Sequence, residues 1–102
     1  MYMNVTYRID KDILYIALEG RVDATNAAEA ERKIFEIKNA NADKHTVVDA
    51  EGLEYISSAG LRVLLSAQKN MAKQGSMKLI HVSDVIMEIF EVTGFVDILT
   101  IE

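Results

Sequence analysis

Two consecutive serines, Ser57 and Ser58, follow a hydrophobic run and precede an amphipathic segment, in the stretch EYISSAGLRVLL at residues 54–65. A serine at a helix start can cap the helix, because its hydroxyl accepts a hydrogen bond from a free backbone N–H two or three residues further on. A helix N-terminus also tolerates an added phosphate, since its N–H groups are unpaired and its dipole end is positive. One serine can therefore start the helix while its neighbour stays free for modification.

A serine at this position could also be the nucleophile of a hydrolase, but the sequence disfavours this function. SSAG does not match the G-x-S-x-G nucleophile elbow. A catalytic triad would also need a base, and both histidines, His45 and His81, fall in or beside predicted strands, where a solvated or hydrogen-bonded imidazole is the common case. No G-x-x-x-x-G-K-[ST] loop and no H-E-x-x-H pair occurs. We therefore predict no catalytic residue, no metal site, no cofactor and a protein that is not an enzyme.

Two aspartates lie where predicted strands end: Asp23 follows the segment EGRV, between a predicted strand pair and a predicted helix, and Asp49 ends the strand segment TVVD. Asp23 can be a helix cap, and Asp49 can be a solvated strand end or can accept hydrogen bonds from loop amides. Alternatively, both carboxylates lie at the same edge of the sheet as Ser58, where they orient its hydroxyl or bind a partner. The spacing permits this arrangement and leaves the alternatives open.

The elements that would position these residues alternate between strands and helices. Five segments are rich in β-branched, aromatic or paired apolar residues and are predicted strands: 2–8, 13–18, 45–50, 77–82 and 96–101. Three segments with apolar residues every three or four positions are predicted helices: 20–40, 59–75 and 83–94. The polar connector 9–12 suits a hairpin.

Polar and glycine residues mark the predicted helix ends. The candidate N-terminal caps are Asp23, Thr25 or Asn26 for the first helix and Ser83 or Asp84 for the third, and Gly75 and Gly94 follow the last two helices. On the second helix, the predicted buried stripe is Leu61, Leu64, Leu65, Gln68 and Met71, with Arg62 and Lys69 outside it.

The order ββαβαβαβ predicts one α/β domain over residues 1–102, with a mixed, mostly parallel sheet and crossover helices. In such sheets, sites form where strands end and helices begin, which is where the two serines fall. Fold alone does not identify a function.

Composition limits the classes of partner. The chain has 102 residues, half of them hydrophobic, a net charge of −5 and no cysteine. The negative charge argues against a nucleic-acid partner. No apolar run approaches the roughly 20 residues of a membrane span, and no secretory signal opens the sequence. We expect a cytoplasmic protein without a membrane partner.

Three segments together resemble the STAS family of bacterial anti-sigma factor antagonists: LEGRVDATNA, TVVDAEGLEYISSAGLRVLL and GSMKLIHVSDVIMEIFEVTGF. The resemblance covers nearly the whole chain, and ISSAGLRVLL is its most specific part. It implies a STAS-like fold and a protein that binds an anti-sigma factor, itself a serine kinase, and so frees a sigma factor. The kinase would phosphorylate one serine of the antagonist and break the pairing, and a PP2C-type phosphatase would restore it.

The resemblance also implies roles for particular residues. In the family motif Asp-Ser-x-Gly, the modified serine falls on Ser58, the glycine on Gly60, and the aspartate on Ser57, which is the main departure from the motif. The family's two other aspartates fall on Asp23 and Asp49.

We predict that Ser58 is exposed in the first helical turn, at an edge shared with Asp23 and Asp49, and that Arg62 and Lys69 extend the partner surface. STAS domains also occur in anion transporters and stress complexes, some of them never phosphorylated. The alternative function is therefore a scaffold or ligand-sensing STAS domain without a phosphorylation switch.

Overall fold

Five strands and three helices make up the computed structural model, which describes residues 2–71 and 77–102. The strands are β1 (Met3–Asp10), β2 (Ile13–Val22), β3 (His45–Asp49), β4 (Leu53–Ile56) and β5 (Met77–Ile80), and the helices are α1 (Ala27–Ala40), α2 (Ser58–Met71) and α3 (Asp84–Thr93). A short 3₁₀ helix, η1 (Phe95–Asp97), follows α3.

β2 is the strand on which the sheet is built. Its side chains alternate strictly, so that Leu14, Ile16 and Leu18 are buried on one face while the intervening residues lie on the opposite, more open face. β1 pairs antiparallel with one edge of β2. The other edge pairs in parallel first with β3 and then with β4, and β5 lies beside β3.

The three helices cover the apolar face and the end of the sheet. α1 and α2 pack on each other and against the strands, and α3 packs against β4. Ile34, Leu64 and Phe90 carry one large buried side chain from each helix into the common core. Within the described residues, no helix combines the length and the apolar character that crossing a membrane requires.

The predicted class is confirmed: the chain forms an α/β domain with a mixed, mostly parallel sheet and three helices. The ends of α3 are also as predicted. The Ser83 hydroxyl accepts a hydrogen bond from the Ile86 N–H at 3.3 Å, and Gly94 ends the helix in the left-handed conformation, with φ +81°. The predicted Gly75 cap lies outside the described residues.

Two parts of the predicted element order are wrong. The connection before Ser57 contains the strand β4, which has only four residues and is too short to show a period. The predicted last strand, 96–101, begins as η1 instead. There the Leu99 N–H bonds the Phe95 carbonyl at 2.9 Å, and Ile101 forms only a single bridge with Leu79. Phe95 and Leu99, which both pack against the core, are four residues apart, which is a helical spacing and not the alternation of a strand.

The first hairpin is tighter than predicted. β1 and β2 pair without interruption up to Asp10 and Ile13, so the connector is reduced to the two residues Lys11 and Asp12. Lys11 has φ +56°, which is the positive φ that a two-residue hairpin turn requires.

Candidate functional site

Ser57 connects the end of β4 to the start of α2. Its N–H donates to the Val22 carbonyl at 2.9 Å, and its carbonyl accepts the Leu61 N–H at 2.9 Å. Its hydroxyl accepts the Gly60 N–H at 3.4 Å. This is the N-cap arrangement, so the prediction that Ser57 starts the helix is confirmed.

Ser58 is the first residue of α2 and is exposed, as predicted. Its hydroxyl makes no hydrogen bond with any of the described residues, because the neighbouring Ser57 already provides the cap. The first turn of α2 contains no acidic residue. A free hydroxyl therefore lies at the positive end of the helix dipole, where an added negative charge is stabilised.

Gly60 allows α2 to approach the sheet closely. It is buried, and a Cβ atom at this position would lie 2.6 Å from Ile56 Cγ1, 3.0 Å from Val22 Cγ1 and 3.1 Å from the Val22 carbonyl oxygen. Real Cβ atoms do not sustain the shortest of these distances. Gly60 therefore supports the site through packing and is not itself available to a partner.

Asp23 lies next to the serines because Val22, the last residue of β2, pairs with Ile56, the last residue of β4. The residues that follow these two strands are Asp23 and Ser57. Its predicted place at the edge of Ser58 is confirmed. The Asp23 carboxylate accepts hydrogen bonds from the hydroxyl and, at 2.9 Å, the N–H of Thr25. These two bonds lower the pKa of Asp23 below its ordinary value of 3.8.

This turn, rather than a side-chain cap, starts α1. The Asp23 carbonyl accepts the Ala27 N–H at 2.8 Å. Asn26 occupies the N-cap position without making a capping hydrogen bond from its side chain. Its amide instead accepts the Asp23 N–H at 3.0 Å and donates to the Arg21 carbonyl at 2.9 Å. The Asp23 carboxylate is thus engaged with its own turn and does not orient the Ser58 hydroxyl.

Asp49 does not share this edge, and the prediction that it does is wrong. It pairs with Ala17, whereas Ile56 pairs with Val22. The two levels are five residues apart along β2, which corresponds to about 16 Å at roughly 3.3 Å per residue. Because β3 and β4 follow one another along the same edge of β2, the carboxyl ends of the parallel strands lie at two separate levels.

Asp49 instead pairs with His81. Asp49 Oδ1 lies 3.0 Å from His81 Nδ1 and accepts the Glu51 N–H at 3.0 Å, and Glu51 Oε2 lies 4.0 Å from the same imidazole nitrogen. The three side chains place their ligand atoms within 4.8 Å of one another, the spacing of a possible cation site. Internal hydrogen bonds account for the arrangement, and we assign no metal ligand here.

α2 carries an exposed stripe that begins at Ser58. Ser58, Arg62 and Lys69 are exposed, and Leu65 between them is half-buried. Residues at steps of four, seven and eleven share one helix face, so these four residues form one surface, which we call the α2 surface. The predicted exposure of Arg62 and Lys69 is confirmed, whereas Leu65 lies at the margin of the buried stripe and not inside it.

The model of the STAS domain family matches residues 4–102 of the chain. The chain belongs to the STAS family. The Bordetella bronchiseptica protein BtrV, described as a candidate anti-sigma factor antagonist, is 34% identical over 87 residues, which cover 84% of this chain and 74% of BtrV. The anti-sigma-B factor antagonist of Bacillus subtilis is 28% identical over 102 residues, with 99% and 92% covered.

Solved STAS structures confirm the fold. The anti-sigma factor antagonist SpoIIAA in its unphosphorylated form superposes with a TM-score of 0.75 at 16% identity, covering 99% of this chain and 88% of SpoIIAA. SpoIIAA of Bacillus in its phosphorylated form gives a TM-score of 0.68 at 16% identity, covering 99% and 91%. At this identity the likeness concerns the fold alone.

Two surface clefts among the described residues of this STAS domain are small. One cleft of about 230 Å³ is lined by Ile13, His45, Thr46, Val47 and Lys78, and one of about 280 Å³ lies along the outer face of α3. Small-molecule pockets usually measure about 300–1,000 Å³. The clefts give no particular support to a ligand-sensing role.

Sequence reasoning missed the link between Asp49 and His81. The signal was present, because both residues lie near the ends of predicted strands, but the neighbouring positions of β3 and β5 in the sheet are needed to bring them together. Asp49 pairs with Ile80, and His81 follows directly.

Proposed function

We propose that this STAS domain is an anti-sigma factor antagonist that is switched by phosphorylation of Ser58. It binds an anti-sigma factor that is also a serine kinase, and binding frees a sigma factor. The kinase transfers a phosphoryl group to Ser58 and the complex dissociates, and a PP2C-type phosphatase restores the binding form. The proposal implies a cytoplasmic protein, since sigma factors act there.

The main support for the proposal is that two adjacent serines differ in role: Ser57 caps the helix and Ser58 does not. The Ser57 hydroxyl accepts the Gly60 N–H, so capping does not occupy the Ser58 hydroxyl. Ser58 is exposed at the first residue of α2 and can enter a kinase active site without unfolding the helix. Relatives named as anti-sigma factor antagonists support the same reading.

The α2 surface is the proposed contact with the partner. Arg62 and Lys69 offer positive charge on an otherwise acidic protein, and the half-buried Leu65 offers apolar area between them. Asp23 lies at the margin of this surface. Asp49 lies at a different level of the sheet, so we leave it out of the proposed surface, and an Asp49 variant tests separately whether it takes part in partner binding.

Phosphorylation changes this surface through charge. A phosphoryl group adds about −1.5 to −2 charges at neutral pH. The helix N-terminus stabilises that charge within the free protein. In a complex the same charge would be buried at the interface without an opposite charge to pair with, at a cost of several kcal/mol. The modification therefore ends binding while the fold is retained.

Mass analysis after incubation with the cognate kinase and ATP tests the proposal. One phosphoryl group is expected on the parent and on Ser57→Ala, and none on Ser58→Ala. Ser57→Ala is the matched control, because it removes the neighbouring hydroxyl and leaves the proposed acceptor. Ser58→Ala should still bind the kinase. A parent that binds the anti-sigma factor and is never modified would favour the alternative of a STAS scaffold without a switch.

A further inference from the structure

β1 is an edge strand whose outer backbone groups make no hydrogen bond with the rest of the described chain. The Arg21 N–H donates to the Tyr2 carbonyl at 2.9 Å, and antiparallel pairs alternate between bonded and non-bonded positions. The even-numbered residues of β1 therefore direct their N–H and C=O groups toward β2. The odd-numbered residues direct theirs outward, and no other described segment bonds them: Met3, Val5, Tyr7 and Ile9.

The opposite edge of the sheet, at β5, is covered by another segment of the chain, in contrast to the edge at β1. The Leu79 N–H donates to the Thr100 carbonyl at 2.9 Å, and the Glu102 N–H donates to the Leu79 carbonyl at 2.9 Å. The C-terminal segment thus shields β5. Among the described residues, no segment shields β1 in the same way.

β1 also lacks the features by which edge strands usually prevent association. The chain contains no proline, and the register of β1 with β2 runs over eight residue pairs without a bulge. Its charged side chains, Arg8 and Asp10, lie on the open face and not among the apolar residues. On the apolar face, Tyr7 is 54% and Ile9 46% exposed. Such an edge is a template for another strand.

We propose that β1 pairs antiparallel with β1 of a second copy of this chain, around a two-fold axis at Thr6. Thr6 is the centre of the outward-directed set, so this register is the one that pairs all four of its members. Val5 then faces Tyr7 of the second copy, and Met3 faces Ile9 of the second copy. The exposed apolar side chains are covered by the interface that the free backbone groups create.

The open face of the same pairing is electrostatically compatible. Thr6 faces Thr6 of the second copy, and Arg8 faces Asn4, so no like charges lie directly opposite each other. The two five-stranded sheets would become one continuous sheet. The Ser58 sites stay accessible, because β4 pairs with the side of β2 that faces away from β1. The proposal is therefore independent of the proposed function.

Single-cysteine crosslinking tests the register directly, because the chain has no cysteine of its own. Thr6 faces its own copy at a non-bonded position, where Cα atoms lie about 4.5 Å apart, within the range of a disulfide. Thr6→Cys should form a covalent dimer rapidly under mild oxidation. Asp10→Cys is the matched control, since the two copies of residue 10 would lie about 26 Å apart at roughly 3.3 Å per residue.

Sedimentation measures the association itself. A single-strand interface lies at the small end of specific interfaces, below about 1,200 Å². We therefore expect the apparent mass to rise from 11.4 kDa toward twice that value between micromolar and near-millimolar concentration. Tyr7→Lys should stay monomeric. Val92→Lys, an equally drastic change at a residue on α3 that is 81% exposed, should associate like the parent.

Three results would overturn the proposal. One is a parent that stays monomeric to near-millimolar concentration. The second is association that Val92→Lys abolishes and Tyr7→Lys does not, which would place the contact on α3. The third is crosslinking of Asp10→Cys as fast as that of Thr6→Cys, which would exclude the register. Circular dichroism of each variant verifies that the fold is intact before either measurement.

Discussion

The two places where parallel strands end carry similar polar residues and differ in what those residues leave free. The serine end consists of Ser57, Ser58 and Asp23, and the histidine end consists of Asp49, Glu51 and His81. At the histidine end, Asp49 accepts the Glu51 N–H and pairs with His81. At the serine end, Ser57 caps α2 and Asp23 bonds Thr25, and the hydroxyl of Ser58 has no hydrogen-bond partner among the described residues.

This difference shows that a residue's availability is decided by its neighbours and not by its type. Asp23 and Asp49 are both aspartates at strand ends, and the carboxylate of each accepts a hydrogen bond from its own loop. Ser57 and Ser58 are both serines at a helix start, and only one of them is engaged. The proposed switch uses the hydroxyl that local structure does not need, so we expect its modification to leave the fold undisturbed.

A charge at Ser58 should change partner binding far more than it changes stability. Ser58→Asp adds one negative charge at the N-terminus of α2, which the dipole favours by about 0.3–1 kcal/mol. The melting temperature should hold or rise slightly. Affinity for the anti-sigma factor should fall a hundredfold or more, at about 1.4 kcal/mol per decade. Circular dichroism melts and calorimetric titration measure the two effects separately, and a variant that unfolds would count against the assignment.

The next effect compares a glycine from each end. Gly60→Ala forces a Cβ against Ile56 and Val22, and overpacking of this kind costs about 1–3 kcal/mol, against a gain in helix propensity of up to about 1 kcal/mol. Gly52→Ala meets only the flexible side chain of Glu19. Denaturant unfolding should show a clear loss for Gly60→Ala and little change for Gly52→Ala. Equal losses would contradict the close approach of α2.

A smaller effect tests whether the histidine end takes part in binding. Asp49→Ala removes the carboxylate that faces the exposed His81, and a surface pair of this kind contributes about 0–1 kcal/mol. Unfolding should therefore show a modest loss of stability, and titration should show unchanged affinity for the anti-sigma factor. A loss of affinity comparable to that of Ser58→Asp would show that the histidine end and the serine end both contact the anti-sigma factor.

The smallest expected effect is the contribution of Asp23 to folding stability at low pH. Hydrogen bonds from Thr25 hold the pKa of Asp23 below 3.8, so the unfolded chain binds more protons just below that pH. The stability that Asp23 contributes is present at neutral pH and is lost as pH falls through its folded pKa. Asp23→Asn should be less stable than the parent at pH 7, and the difference should shrink near pH 3. Thermal melts at both values, with Asp10→Asn as the control, measure it.

The sequence predicts best what is determined locally. The ends of α3 depend on Ser83 and Gly94, and the start of α2 depends on Ser57. Each acts within a few residues along the chain, so its role can be predicted without knowing the sheet. The exposure of Ser58, Arg62 and Lys69 follows in the same way from the helical period.

The sequence predicts poorly what depends on register. The distance between Asp49 and Ser58 is fixed by the pairing of β3 and β4 with successive parts of β2, and no local pattern records that order. The partnership of Asp49 with His81 depends on which strands are neighbours. β4 was missed because four residues carry too little periodicity, and the apolar residues after Gly94 resemble a strand although they pack as a turn.

In the proposed switch, phosphate on Ser58 decides partner binding without altering the fold. Calorimetric titration against the anti-sigma factor should compare the fully phosphorylated protein with the unmodified protein and Ser58→Ala. We predict that the unmodified protein and Ser58→Ala bind alike, and that the phosphorylated protein binds at least a hundredfold more weakly, with an unchanged melting temperature. Equal affinity of the phosphorylated and unmodified proteins would contradict the account.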